Sequence, residues 1–303
     1  MIDYGPLPEK EDKFTAKRRL KQSQYRHDVL KESYGYGPDS TSQSKYGNML
    51  VNGEITGSNF VSKSAFVYAK QRANDTVVFP DMTIDSYRLF NNMLSSMPLC
   101  FNLFSDLREI LIFNRDEATQ IIKNLFIEVR EIENPLYLAV EFIPTPTDRY
   151  TDDKSAFDAM LIYKDKFGDK GLITIETKYT DILGSNSSSR TSVKDSIIIK
   201  DELFEDDATK FILKNGYKQI HRNFLLTYIY AKNNKIKHWA NVVISPAEDK
   251  KSEIEIDEFK NSLKKHKDNI FKISLEEFVS RGKNSNCDQI TKIYKEIETR
   301  YFV

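Results

Sequence analysis

The chain has 303 residues, with 45 Lys plus Arg balanced by 45 Asp plus Glu for a formal charge of zero. That length suits one large domain or two small ones, and 40% hydrophobic with 12% aromatic residues excludes wholesale disorder. The neutral balance excludes a bulk basic field, so any nucleic-acid contact must come from a local patch. Two cysteines (Cys100, Cys287) and four scattered histidines (His27, His221, His238, His266) signal neither a disulfide framework nor a Cys- or His-rich metal site. No apolar run approaches the ~20 residues of a membrane span and no signal-peptide core opens the chain. The expectation is a soluble, cytoplasmic protein.

Residues 1–80 read as an N-terminal arm or extension, partly irregular, and 81–303 as the main domain with a Lys-rich helical C-terminus. Lys17-Arg18-Arg19 begins a basic, helix-compatible stretch, and 34–52 is rich in Gly, Ser, Tyr and Asn with little periodicity. Two readings stay open there: a loose extension, or an arm that wraps a partner subunit or grips a polyanion. From 86 to 108 and from 116 to 126 the apolar spacing predicts one or two buried helices, with Pro98 as a start or kink. The period then changes. Segments 136–143 (LYLAVEFI), 156–163 (AFDAMLIY) and 171–179 (GLITIETKY) have strand character between turn residues. A Ser/Asn/Gly-rich loop follows over 180–194. A helical pattern runs over 211–232, broken at Asn215-Gly216. WANVVIS (239–245) is a continuous apolar strand of the kind buried on both faces. Lys-rich helices are expected near 253–267 and 288–300, with a short strand at 270–274. The order helix, three strands, helix, strand predicts an α/β fold, a mixed β-sheet flanked by helices.

The stretch 155–181 carries the chemistry. Asp158 lies in one strand, Glu176 and Lys178 in the next, and 158 and 176 are nine residues either side of Phe167 in the turn. A regular antiparallel hairpin therefore sets Asp158 directly opposite Glu176, with Cβ atoms roughly 4.5–5.5 Å apart. Strand parity puts Glu176 and Lys178 on one face and Ile173, Ile175 and Thr177 on the other. Two like charges side by side call for something positive between them, and a hard divalent cation on oxygen ligands answers that need. Acid-x-Lys is a cheap pattern, also present at Glu11, Asp152, Glu248, Asp249 and Glu258. The hairpin placement separates Glu176 from these, against the alternative of a solvated strand face with an ordinary salt bridge.

Asp158, a spacer and then Glu176-Thr177-Lys178 resemble the PD-(D/E)xK nuclease superfamily, the restriction-endonuclease-like fold, with Phe157 where its name has proline. PLCFNLF (98–104), VEFIP (140–144) and QIHRN (219–223) extend the likeness to a family of bacterial restriction endonucleases, over roughly residues 85–250. The resemblance implies a metal-dependent nuclease acting on nucleic acid, DNA by preference, in restriction or defence. It implies Asp158, Glu176 and the Thr177 carbonyl as ligands of Mg²⁺ or Mn²⁺, with Glu141 as a third carboxylate and Glu128 on the preceding helix in reserve. Lys178 would orient the attacking water and offset transition-state charge. Gln219, Arg222 and Asn223 share a helix face, which either reaches a phosphate or is simply solvated. Arg190 and Lys194 in the Ser-rich loop and the 264–267 run (KKHK) are further candidates for the nucleic-acid backbone. Cutting both strands of a duplex favours a homodimer. The alternative function is a catalytically vestigial nucleic-acid-binding or assembly module on the same fold.

Overall fold

A computed structural model of the chain describes residues 2–78, 82–129, 131–181, 183 and 190–303. It divides into two compact units, one made of Met1–Leu125, Tyr179–Asp181 and Glu276–Val303, the other of Phe126–Lys178 and Ile182–Leu275.

The first unit is mainly helical. Its elements are α1 (Lys13–Tyr25), the antiparallel pair β1 (Tyr34–Tyr36) and β2 (Lys45–Leu50), α2 (Gly53–Thr56), α3 (Lys63–Val78), α4 (Ser86–Asn91), α5 (Ser96–Phe113) and α6 (Arg115–Leu125). Near the C-terminus come α11 (Leu275–Lys283) and α12 (Asp288–Tyr301), the latter packed on α1 and α5. Helix α5 begins where Ser95 accepts the Met97 N–H at 3.2 Å, and Pro98 sits in the first turn, where its missing N–H leaves no bond unmade. Leu99, Cys100, Phe101, Leu103, Phe104 and Leu107 are all buried, so this helix is apolar nearly all round, as a central helix must be. Polar groups lock it in place. Asn102 donates to the Tyr301 hydroxyl at 2.9 Å and accepts the Val61 N–H at 2.9 Å, and buried Arg300 donates to Asn59 Oδ1 at 2.6 Å.

The residues expected as an irregular arm thus carry two long helices and a hairpin, and they group with α4–α6 and α12. The basic triplet is used inside this unit. Arg18 is buried over the Phe14 ring at 3.6 Å, and Arg19 pairs with Glu11 at 2.6 Å. Within 34–52 the strands pair through a register shift between Tyr34 and Tyr36, which breaks the regular alternation, and β2 packs on α1 and α4.

The second unit is the α/β fold expected from the element order. Its strands are β3 (Asn134–Phe142), β4 (Phe157–Lys164), β5 (Lys170–Thr177), β6 (His238–Ser245) and β7 (Ile270–Ser274), in the spatial order β3-β4-β5-β6-β7. The first two pairings are antiparallel and the last two parallel. Strand β6 lies between two parallel neighbours, which is why its sequence is a continuous apolar run. Helices α7 (Ser192–Lys200), α8 (Asp206–Asn215), α9 (Gln219–Asn233) and α10 (Lys250–Ser262) complete the unit. Gly216, at φ 89°, ends α8 and opens the expected break before α9. Helix α9 packs on β5 and β6. Its Leu226 joins Ala139, Met160 and Leu172 of three strands, and its Phe224 and Leu225 join Val243.

Part of the Ser-rich loop expected over 180–194, namely 182 and 184–189, lies outside the described residues. Its far end is helical: Thr191 caps α7, accepting the Lys194 N–H at 3.3 Å.

Candidate active site

The site is built by register. Strands β4 and β5 pair Ala159 with Ile175 and Met160 with Thr174, so one further step sets Asp158 opposite Glu176. Strands β3 and β4 pair Val140 with Ala159 and Phe142 with Phe157, which sets Glu141 opposite Asp158 from the other side. Glu141, Asp158 and Glu176 therefore occupy one rung across three adjacent strands. Opposite residues project to the same face of a sheet, here the face that carries Met160 and Leu172 towards α9. Glu141 has φ 53°, and it is buried. A left-handed conformation costs a non-glycine residue about 1–2 kcal/mol.

Helix α9 meets this rung with polar groups spaced four apart. Asn223 Nδ2 donates to Glu176 Oε2 at 2.6 Å, and Gln219 Nε2 donates to Glu176 Oε1 at 2.7 Å. Gln219 Oε1 in turn accepts from Lys178 Nζ at 2.9 Å, and Lys178 Nζ stands 2.7 Å from Glu176 Oε1. One turn further, Thr227 and Thr174 hydroxyls share a hydrogen bond of 2.7 Å, with Asn241 donating to Thr174 at 2.9 Å. The Lys178 N–H donates to the Ile244 carbonyl at 2.8 Å, which continues the parallel ladder past the end of β5 and keeps Lys178 on the Glu176 face. Glu176 and Lys178 are each 3% exposed.

Asp158 has different partners. Its Oδ2 accepts the Thr177 N–H at 2.8 Å and the Thr177 hydroxyl at 2.9 Å. Parity puts Thr177 on the opposite face, yet both its N–H and its hydroxyl reach Asp158 Oδ2. Burial first, and the Glu176 carboxylate second, push the Asp158 carboxyl up to about 7, against the opposing pull of Lys178 and the two Thr177 bonds.

A model of the PD-(D/E)XK nuclease superfamily matches residues 9–303. The chain belongs to that superfamily. No curated protein and no solved structure was found to match it. The family match begins well before residue 80, so the helices and hairpin of the N-terminal stretch fall within it. The five-stranded mixed sheet flanked by helices is consistent with the restriction-endonuclease-like fold of PD-(D/E)XK nucleases, whose members generally use divalent metals. Carboxylate oxygens are the donors that a hard divalent ion takes. Three carboxylates share a rung, two of them almost fully buried, and burial first, with the Glu176 charge second, raises the Asp158 carboxyl, so that its ionised form lacks compensation that a cation would supply.

Other expected residues land elsewhere. Gln219 and Asn223 spend their amide N–H groups on Glu176 rather than presenting them outward; the helical stripe that faces the sheet is Gln219, Asn223, Thr227, and Arg222 is off it. Arg222 is partly buried, with Nε lacking a hydrogen-bond partner among the described residues. Arg190 donates to Asp195 at 3.1 and 2.5 Å. Lys194, expected in a loop against nucleic acid, is fully buried in α7 and bonded to Asp153 at 2.7 Å, because an ammonium enclosed by packing needs a carboxylate partner. Glu128 lies past the end of α6, in the turn before β3, and not on a helix. In the 264–267 run, Lys264 stands 3.7 Å from Asp206 and Lys265 donates to the Asp201 carbonyl at 2.7 Å. His221 is structural: Nδ1 accepts the Lys218 N–H at 3.0 Å, and burial lowers its pKa to about 4. The four-residue spacing Gln-x₃-Asn-x₃-Thr is the sequence signal of the α9 stripe, since residues four apart stack on one side of a helix.

Proposed function

We propose that this PD-(D/E)XK protein is a Mg²⁺-dependent endonuclease that hydrolyses phosphodiester bonds of DNA, in restriction or defence, in the cytoplasm and as a two-fold dimer. The observation that supports the reading most directly is the rung itself, three carboxylates in line with Lys178 against the last of them. Asp158, Glu176 and Glu141 would hold Mg²⁺ or Mn²⁺, with the Thr177 carbonyl as a further donor. The strained backbone at Glu141 supports its inclusion, since such strain persists where the surrounding structure enforces it and clusters at functional sites. When bound, the ion supplies Lewis acidity and lowers the pKa of water.

The chain's own residues do the rest. Lys178 Nζ, fixed by Glu176 and Gln219, donates to the attacking water and to the oxygens that gain charge as phosphorus becomes five-coordinate. Water oxygen bonds to phosphorus in line with the breaking P–O bond, leaving a phosphate monoester on one side of the cut and a hydroxyl on the other. Gln219 and Asn223 hold the Glu176 carboxylate in one orientation through the cycle. Arg222 at the start of α9, with Arg190, is assigned to the phosphate backbone.

A second reading rests on a specific observation: both oxygens of Glu176 already accept hydrogen bonds from α9. On that reading the site is locked, and the protein is a nucleic-acid-binding or assembly module without catalysis. One experiment separates the two. Purified protein is incubated with supercoiled, linear and single-stranded DNA and with RNA, in Mg²⁺ or Mn²⁺ or with EDTA, beside Asp158→Ala. Cleavage of DNA that needs the metal and Asp158 supports the nuclease. DNA binding without cleavage, and no Mn²⁺ uptake by titration calorimetry, would leave the binding module.

A further inference from the structure

A second convergence of ligating side chains lies at the other end of the same strands. Glu131 stands just before β3, Asp165 follows the last residue of β4, and His238 is the first residue of β6. Their ligand atoms all lie within 4.8 Å of one another. From Asp158 to Asp165 the chain advances seven residues along β4, about 23 Å at ~3.3 Å per residue, so this group is separate from the carboxylate rung.

Asp165 is the centre of the group. Its side chain has no exposed surface. Oδ1 accepts the N–H groups of Phe167 at 2.8 Å and Asp169 at 2.9 Å, which fixes the plane of the carboxylate. Oδ2 has no hydrogen-bond partner among the described residues, and it points towards His238 Nε2, 3.5 Å away. A fully enclosed carboxylate oxygen with no donor is unfavourable, and 3.5 Å is long for a charge-assisted hydrogen bond. The oxygen is oriented, buried and short of a partner.

We propose that Glu131, Asp165 and His238 form a second metal site, which takes a divalent ion of borderline softness, Zn²⁺ being the model case. One imidazole nitrogen and two carboxylate oxygens are donors that zinc accepts, with a fourth position left for water. Mg²⁺ and Ca²⁺ favour oxygen-only sets, and the imidazole turns the site away from them. Two carboxylates and a neutral imidazole balance the charge of the ion. The two backbone N–H bonds to Oδ1 serve as the outer contacts that orient a metal ligand. Lys237, the neighbouring cation, is directed to Asp169 Oδ2 at 2.8 Å and is largely exposed. The bound ion joins the approach to β3, the β4–β5 turn and the start of β6, three segments distant in sequence. It acts as a staple at the end of the sheet.

The test uses the full chain in an Asp158→Ala background, so that the rung does not contribute, with Mg²⁺ in excess. Zn²⁺ titration by calorimetry should show one equivalent bound, and Co²⁺ in its place should give visible absorption bands. His238→Ala in that background should weaken Zn²⁺ binding by at least about tenfold. Should His238→Ala fail to fold, Glu131→Gln, at an exposed side chain, reads the same loss. Absence of Zn²⁺ uptake in the Asp158→Ala protein would overturn the proposal and leave Asp165 and His238 as an ion pair. Zn²⁺ binding unchanged by both His238→Ala and Glu131→Gln would overturn it equally.

Discussion

Burying the Asp158 carboxyl beside Glu176 pushes its pKa up to about 7 from an ordinary 3.8, so the folded chain holds this proton more tightly than the unfolded one. The stabilising contribution of that proton is complete below the ordinary carboxylate value and is lost as pH rises through about 7. In EDTA, the melting temperature should therefore fall between about pH 4 and pH 7, and Asp158→Asn should flatten that part of the profile. Mg²⁺ should raise the melting temperature more at pH 8 than at pH 5, because only the ionised carboxyl presents the charge the ion meets. A profile identical in Asp158→Asn would mean that the carboxyl is not held in this way. Lys178 is the opposite case, a buried ammonium whose removal leaves Glu176 with amide donors alone. Lys178→Ala should destabilise the metal-free protein by about 3 kcal/mol, and a divalent ion should recover part of the loss. Cleavage should drop on the order of 10²-fold or more. Chemical denaturation with and without Mg²⁺, beside single-turnover cleavage, reads both effects; full activity in the variant would make Lys178 an ion-pair partner only.

At the scale of the element, α9 separates two jobs along one helix. Gln219 and Asn223 face the sheet and hold Glu176, while Arg222, between them in sequence, lies off that stripe. Gln219→Ala should lower the single-turnover cleavage rate by about 10- to 10²-fold, the size of effect expected when a reacting group is displaced, with DNA affinity unchanged. Arg222→Ala should weaken binding to all DNA sequences alike and reduce the slope of log affinity against log salt by about one, one fewer counterion being released. Filter binding across a salt series distinguishes them. If Gln219→Ala changes the slope and Arg222→Ala does not, the two assignments are exchanged. Hairpin β4–β5 behaves as an element too. Its register follows from the turn alone, since residues equidistant from a hairpin turn face each other whatever surrounds them.

The chain divides into two compact units, the first carrying the buried residues of α5 and the second those of α9 against the sheet. Phe101 in the first and Phe224 in the second are fully buried. Phe101→Ala and Phe224→Ala should each lower the unfolding free energy by about 3–5 kcal/mol, measured by chemical denaturation. Hydrogen exchange should show the loss of protection in α5 and α12 for the first and in α9 and β6 for the second. A loss below about 1 kcal/mol in either would mean that the ring sits in a site able to collapse around the gap. Among the described residues no helix is long and apolar enough to cross a membrane.

Much of the second unit was legible from sequence because the determining forces are local. Strand runs, the break at Asn215-Gly216 and the Asp158–Glu176 register each depend on neighbours within about twenty residues. The order of elements was enough for the α/β class, since amphipathic elements in that order have few ways to bury their faces. What the sequence left open depended on partners far along the chain. Lys194 has the composition of a loop cation, and Asp153, forty-one residues away, meets it inside the packed unit. The partner of Gln219 and Asn223, the Glu176 carboxylate more than forty residues before them, is set by the packing of α9 on β5. Glu131, Asp165 and His238 carried no sequence signal at all, because nothing in their spacing predicts that a mixed sheet brings the start of β3, the end of β4 and the start of β6 to one edge. A side chain's partner is chosen by the burial that encloses it, and enclosure is a property of the tertiary structure.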